Sequence, residues 1–311
     1  MAESTSLAAL ARDPRRLLDE AGLSLGVLDP CVAAIGSQGG AALAELAALD
    51  ADGLRSRLCL DGGLLNTLTG KQLERSLGLY LDGPAGPVIG GSWAVLPALA
   101  EHVALRPLEL GSARPALAFG PPGGLPFAGI AAAGFAVVSQ ALRPAGFEPG
   151  LPGSALLREL LASSSLEQVR ERLEGASLAD GRNWMLADGV SFFGYEHLQS
   201  RAVLTRLGRK VSHVHANHCF DPALRQLEGR PRSPLSFRRL ELASTLYIQR
   251  QPSSAEAMLE FFAEVETEAF AEPSRRAGCA LAIELGTGRA MWRTRLDGPA
   301  TLTSFDSPLA G

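Results

Sequence analysis

Ser76-Leu-Gly-Leu-Tyr-Leu81, Asp82-Gly-Pro-Ala-Gly86 and Pro87-Val-Ile-Gly-Gly-Ser-Trp-Ala-Val95 follow one another without a break. The outer two are short apolar runs. The middle one concentrates Gly and Pro, so the stretch reads as two strands joined by a turn. Downstream the strand pattern continues over His102–Leu110 and Arg114–Phe119, and then over Phe127–Leu142, interrupted at Ala131–Gly134. Helical spacing returns at Gly153–Leu161 and at Ser165–Glu174, the latter opened by a capping-box pattern of Ser164 and Glu167. Trp184–Ala187, Val190–Tyr195 and Lys210–Val214 read as strands. Leu235–Ile248 and Ala255–Val265 read as helices. Cys279–Glu284, Gly286–Gly288 and Arg289–Arg295 read as a closing hairpin. Upstream of the first hairpin, Leu17–Leu60 carries apolar residues at three- and four-residue spacing between Gly and Asp stops. Strands in blocks separated by helix pairs predict an α+β layered protein. The division expected is a helical N-terminal, propeptide-like segment over 1–75 and a layered domain over 76–311.

Composition narrows the function classes. The 311 residues are 46% apolar and 20% charged, enough to bury a full core and too apolar for a disordered chain. The 34 Gly and 20 Pro, about a sixth of the chain, punctuate turns at a level below the roughly 25–30% of low-complexity sequences. A net charge of −4 argues against a general nucleic-acid binder, which needs an excess of Lys and Arg. Cys31, Cys59, Cys219 and Cys279 are scattered and form no CxxC pair, so no disulfide framework or ribbon-type zinc site is expected. Met1–Arg16 has no basic segment leading into an apolar stretch, and Phe127–Val138 falls short of the roughly 18 residues a membrane span needs. A soluble, cytoplasmic protein with no membrane partner is the expectation.

Two segments concentrate chemistry. His213-Val-His215-Ala-Asn217-His218-Cys219 closes a strand, with His213 and His215 on one face. Three His and a Cys look like zinc ligands, but nothing nearby completes a ligand set, and no metal is expected. The alternative is packing for His213 and Cys219 and backbone capping by the other histidines. The Asn217 amide can donate to a developing oxyanion. Arg230-Pro-Arg232-Ser233-Pro-Leu-Ser236-Phe-Arg238-Arg239 opens a helix, either as a solvated basic face or as a guanidinium site for a carboxylate.

Taken in order, these pieces resemble the acyl-coenzyme A:6-aminopenicillanic acid (isopenicillin N) acyltransferase family, the C45 group of autoproteolytic hydrolases related to bile-salt and penicillin V hydrolases. The resemblance runs through the hairpin Ser76–Trp93, Gly129-Ile130-Ala-Ala-Ala-Gly134, Gly150-Leu-Pro152-Gly153, Asn183–Asp188, His215-Ala-Asn217-His218, the Ser/Arg helix start and Met291-Trp292. It covers roughly Ser76–Arg295 and implies the N-terminal-nucleophile fold, an αββα sandwich of two stacked antiparallel sheets. It also implies a chain cut before the nucleophile, whose freed α-amine then serves as its base, with no cofactor and a small acyl or amide substrate.

The family places a Cys where this sequence has Ser76, or Arg75 after a one-residue slip. Ala94 stands for the Asp after Trp93, Ala131 for an Asn in the turn, and Gln140 for an Asn near the next strand's end. The resemblance implies Ser76, Asn217, His215, His218 and Arg238 as catalytic candidates, and Trp93, Gln140 and Arg239 as substrate-binding candidates. Two functional readings follow. One is a divergent acyltransferase or amide hydrolase acting on a small acyl or amino-acid-derived amide or thioester. The other is a non-processed relative that binds a small ligand in the same pocket. Three polar residues replaced at one corner predict a chain that stays mostly uncut.

Overall fold

The computed structural model describes residues 12–38, 41–71, 75–95, 97–110, 115–123, 125–270 and 278–306. Residues 1–11 of the N-terminal stretch, Arg114 and Gly124 lie outside them. Helices of eight residues or more are α1 (Arg12–Glu20), α2 (Asp29–Gln38), α3 (Ala51–Leu58) and α4 (Gly62–Thr69). Strands β1 (Arg75–Gly83) and β2 (Gly86–Ala94) form the expected hairpin, paired throughout with Ser76 opposite Trp93. Its turn is only Pro84-Ala85, because Gly86 takes a φ of 105° that lets the chain reverse at once. There follow β3 (Ala104–Leu108), β4 (Ala116–Gly120), β5 (Ala128–Ile130), β6 (Ala136–Leu142), α5 (Gly153–Leu161), α6 (Leu166–Gly175), β7 (Gly181–Ala187) and β8 (Phe192–Leu198). The chain continues through β9 (Arg201–Gly208), β10 (His213–His215), α7 (Pro234–Arg250), α8 (Ala255–Ala269), β11 (Cys279–Glu284), β12 (Arg289–Arg293) and β13 (Thr301–Ser304).

Two antiparallel sheets result, in the orders β10-β1-β2-β11-β12-β13 and β3-β4-β5-β6-β7-β8-β9. Alternation along each strand stacks them. Leu77, Leu79 and Leu81 of β1 face Leu246, Met258, Leu259 and Phe262 of α7 and α8. Tyr80, Ile89 and Trp93 point the other way, into an inter-sheet layer with Phe119, Phe127, Val138 and Met185. Val137, Trp184 and Leu186 on the far face of the second sheet meet Leu157, Leu160, Val169 and Leu173 of α5 and α6. The order is helix, sheet, sheet, helix. The fold is the αββα sandwich. Among the described residues no helix is long and apolar enough to cross a membrane.

The capping box sits one residue later than the sequence pattern suggests. Ser165 is the N-cap of α6 and accepts from Gln168 N, while Gln168 Oε1 accepts from Ser164 N. Ser165 has the extended backbone an N-cap needs, so Gln168 rather than Glu167 falls at the third helical position.

The N-terminal helices join the sandwich through apolar and ionic contacts. Leu28, Cys31, Ile35, Leu58 and Leu64 share a core with Leu125, Leu151 and Ala179. Beside it Arg182 of β7, fully buried, meets Asp61 Oδ1 at 2.5 Å through Nη2 and Asp180 Oδ2 at 2.9 Å through Nε. Gly63 and Gly153 flank this guanidinium so closely that a Cβ at either would lie 2.5 Å or less from it. Asp61 also accepts from Ser154 Oγ and Leu64 N, and Asp180 from Gly153 N. One cation thus serves two buried carboxylates. Burial drives Asp180 up to about 7, with the nearby Asp61 charge adding to it and Arg182 opposing it. Burial opposes the ionised form of Asp61 too, but Arg182, Ser154 and Leu64 outweigh it and hold this carboxyl below its ordinary range.

Candidate functional site

Ser76 is the second residue of β1, is fully buried, and points toward the second sheet with Tyr80. Three of its atoms are held. Its N–H donates to Asn217 Oδ1 at 2.8 Å, and its carbonyl accepts from Arg239 Nη1 at 2.9 Å. Its Oγ accepts from Asn217 Nδ2 at 2.9 Å and from Ala141 N at 3.1 Å. Asn217 follows β10, the strand paired with β1, and is oriented in turn by Arg239 Nη1 on its Oδ1 (3.1 Å) and by Ala141 O on its Nδ2 (2.8 Å). Ser236 Oγ accepts the Asn217 N–H at 2.9 Å. One amide therefore bridges the nitrogen and the hydroxyl of one serine. Behind it the Arg239 guanidinium pairs with the buried Glu266 of α8, and Ser92 Oγ lies 3.5 Å from the same carboxylate oxygen.

The other candidates lie elsewhere. Arg238 is exposed on the outer side of α7, donating to Glu268 O, and does not reach Ser76. Successive helical residues differ by about 100° in direction, so only one of the Arg238–Arg239 pair can face inward. It is Arg239, which grips Ser76 and Asn217 rather than a substrate. His215 Nε2 lies 2.8 Å from Glu196 Oε1 and its Nδ1 2.7 Å from Ala216 O, joining β10 to β8 across the sheets. His218 Nδ1 meets Ser236 Oγ at 2.8 Å, and its ring stacks on Phe237. Neither histidine is hydrogen-bonded to Ser76. Both brace the turn that carries Asn217. Trp93 is buried among Phe119 and Phe127 and donates to Ser139 O, so it is a core residue. Gln140, also buried, accepts from Asn183 Nδ2 between the sheets. No three of these His, Cys or acidic side chains converge as metal ligands among the described residues.

Sequence reasoning passed over Glu266, Glu196 and the Ala141 N–H, and gave Ser236 no role of its own. Glu266 carries a signal: Phe262, Val265, Glu266 and Ala269 occupy one buried helical stripe, and a carboxylate there needs a partner. Burial opposes the charged form of Glu196, but the His215 ring and the backbone N–H groups of Asp221 and Phe220 more than offset it and keep this carboxyl below its usual range. Burial pushes the Cys59 thiol up to about 11, which removes it as a nucleophile at neutral pH.

Three buried imidazoles give the structure an acid limit. Burial first, then neighbouring charges, lowers His218 to about 4 and His213 to about 3, while burial alone lowers His197 to about 4. Below about pH 6.5 the unfolded chain binds protons that these folded sites refuse, so stability is full above that pH and falls as pH drops toward 4. Asp180, raised, has the opposite slope across the same interval, because the folded chain keeps a proton the unfolded chain releases. Glu228, also raised by burial, opposes in the same way, so three sites against two leave a net loss on the order of 1 kcal/mol per pH unit. Denaturant midpoints should therefore fall between pH 6.5 and 5, less so in His213→Gln. A flat profile would contradict these assignments.

An open cavity of about 220 Å³ borders the site, lined by Asn217 and Ala141 together with Asn66, Arg143, Glu228 and Arg232.

No protein-family profile matches the sequence, and no curated protein matches it. Solved structures similar in fold include the Caenorhabditis elegans N-acylethanolamine-hydrolyzing acid amidase ortholog, with 10% identity over 67% of this chain and 92% of that one, at a TM-score of 0.47. A Cys-to-Ala mutant of the conjugated bile acid hydrolase from Clostridium perfringens has 13% identity over 74% and 92% of the two chains, again at 0.47. Penicillin V acylase from Agrobacterium tumefaciens has 13% identity over 74% and 86%, at 0.39.

Proposed function

We propose that this protein is an amide hydrolase or acyltransferase whose nucleophile is Ser76, made competent by cleavage of the Arg75–Ser76 bond. The observation that carries this reading is the Asn217 amide, which holds the nitrogen of Ser76 with its oxygen and the hydroxyl of Ser76 with its Nδ2. In the uncut chain every hydrogen-bond partner of Ser76 Oγ among the described residues is an N–H donor, and none of them is a base. Cleavage supplies one. Ser76 Oγ attacks the Arg75 carbonyl carbon, the carbon–nitrogen bond breaks, and the nitrogen takes the hydroxyl proton. Water then hydrolyses the resulting ester, leaving an Arg75 carboxylate and a free Ser76 amine.

That amine, with an ordinary pKa near 7.7–8.0, is a base at neutral pH. Asn217 Oδ1 fixes its position, and the Arg239 charge favours its neutral form. When Ser76 then attacks a substrate amide or thioester, the amine takes the hydroxyl proton and later returns it to the leaving group. Asn217 Nδ2 and Ala141 N, which donate to Ser76 Oγ, are the donors that would turn to the oxyanion as it forms. These donors, and Glu266 as the carboxylate behind Arg239, weigh against the expectation of an uncut chain, which rested on a hydroxyl nucleophile and on the residues at Ala94, Ala131 and Gln140. The test is the mass of the purified chain beside Ser76→Ala. The proposal expects two fragments from the wild type and one chain from the variant.

The second reading, a ligand-binding relative without nucleophilic chemistry, is favoured by the complete burial of Ser76 and the absence of a base at its hydroxyl among the described residues. It stands if the wild type stays whole.

A further inference from the structure

The cavity beside Asn217 carries a charge that the nucleophile chemistry does not use. Of its two arginines, Arg232 is paired with Glu228 at 2.7 Å, and burial holds the Glu228 carboxyl above its usual range. Arg143 has no carboxylate partner among the described residues. Its Nη1 donates to Gly70 O at 2.5 Å and its Nη2 to Pro231 O at 2.8 Å, which pins the guanidinium against the cavity wall. Two of its five N–H bonds are spent, and the remainder and the full charge are available to an anion. Arg143 lies two residues beyond Ala141, whose N–H meets Ser76 Oγ, so roughly 7 Å of backbone separates the two positions and both line the same cavity as Asn217.

We infer that this cavity recognises an acyl group ending in a carboxylate, with Arg143 as the residue that selects for the charge. A rigid guanidinium with two carbonyls already in place loses little freedom on binding, and its fork matches a carboxylate. The inference takes from the Ser76 reading only which end of the ligand reacts. The recognition of charge stands apart from cleavage.

The test is equilibrium binding to the full chain, by calorimetry in low salt, of two probes of equal length: glutaramate, with a terminal carboxylate, and the neutral pentanamide. Glutaramate is expected to bind at least 10-fold more tightly, with the advantage shrinking as salt is raised. Arg143→Gln should bring the two probes to parity, and Arg143→Lys should keep part of the preference. A merely structural Arg143, holding Gly70 and Pro231, would weaken both probes alike and leave their ratio unchanged. Equal binding of the two probes, no binding of either, or a preference that survives Arg143→Gln would overturn the inference. A preference for glutaramate in a chain that stays uncut would sink the nucleophile proposal and leave this one standing.

Discussion

Arg182→Met is expected to destabilise the folded chain by roughly 3–5 kcal/mol, the range for removing one partner of a buried charge cluster. Among the described residues the guanidinium is the only cation paired with Asp61 and Asp180, all three residues being 2% exposed or less. Without it two carboxylates stay buried side by side. Their remaining donors, Ser154 Oγ, Leu64 N and Gly153 N, compensate hydrogen bonding but not charge. For a chain of this size the melting temperature should fall by about 10 °C. Adding Asp61→Asn to Arg182→Met should recover part of the loss, since one buried charge goes with its partner. A melting temperature unchanged in Arg182→Met would mean that the cluster is not what fastens the N-terminal helices to β7 and α5.

How much of this was legible in sequence depends on how far each residue's neighbours reveal its burial. The hairpins β1–β2 and β11–β12 and the helix Gly153–Leu161 were legible because apolar runs there end at Gly and Pro. β9 was not. Arg201–Gly208 is largely exposed, an edge strand held by pairing to β8 with little apolar signal of its own. β13 fails for the same reason. At the site, Asn217 was recognisable by its place in the His-x-Asn-His element. The choice between Arg238 and Arg239 turned on helix phase, which a short run of Ser, Phe and Arg does not fix. His215 and His218 suggested acid–base chemistry because histidine usually titrates near neutrality. The fold buries them against Glu196 and Ser236, and there they position Asn217.

Asn217→Ala is the second large effect expected. It removes one of the two donors at Ser76 Oγ and the acceptor for Ser76 N together, and loss of one oxyanion donor costs on the order of 10²–10³ in rate. The variant should accumulate as uncut precursor while melting close to the wild type, because Asn217 sits at the cavity edge and its turn is still braced by His215 and Ser236. Glu266→Gln should slow cleavage less, since it acts only through Arg239.

Whether Ser76 becomes an N-terminal nucleophile is decided by intact mass spectrometry of the purified protein. The wild type should give two species. One is about 8 kDa, the share of 75 residues in 311 at 32.6 kDa in all, and the other is the remainder beginning at Ser76. Ser76→Ala should give one uncut chain. A wild type that persists as a single 32.6 kDa chain, or a cut that survives Ser76→Ala, would contradict a Ser76 nucleophile.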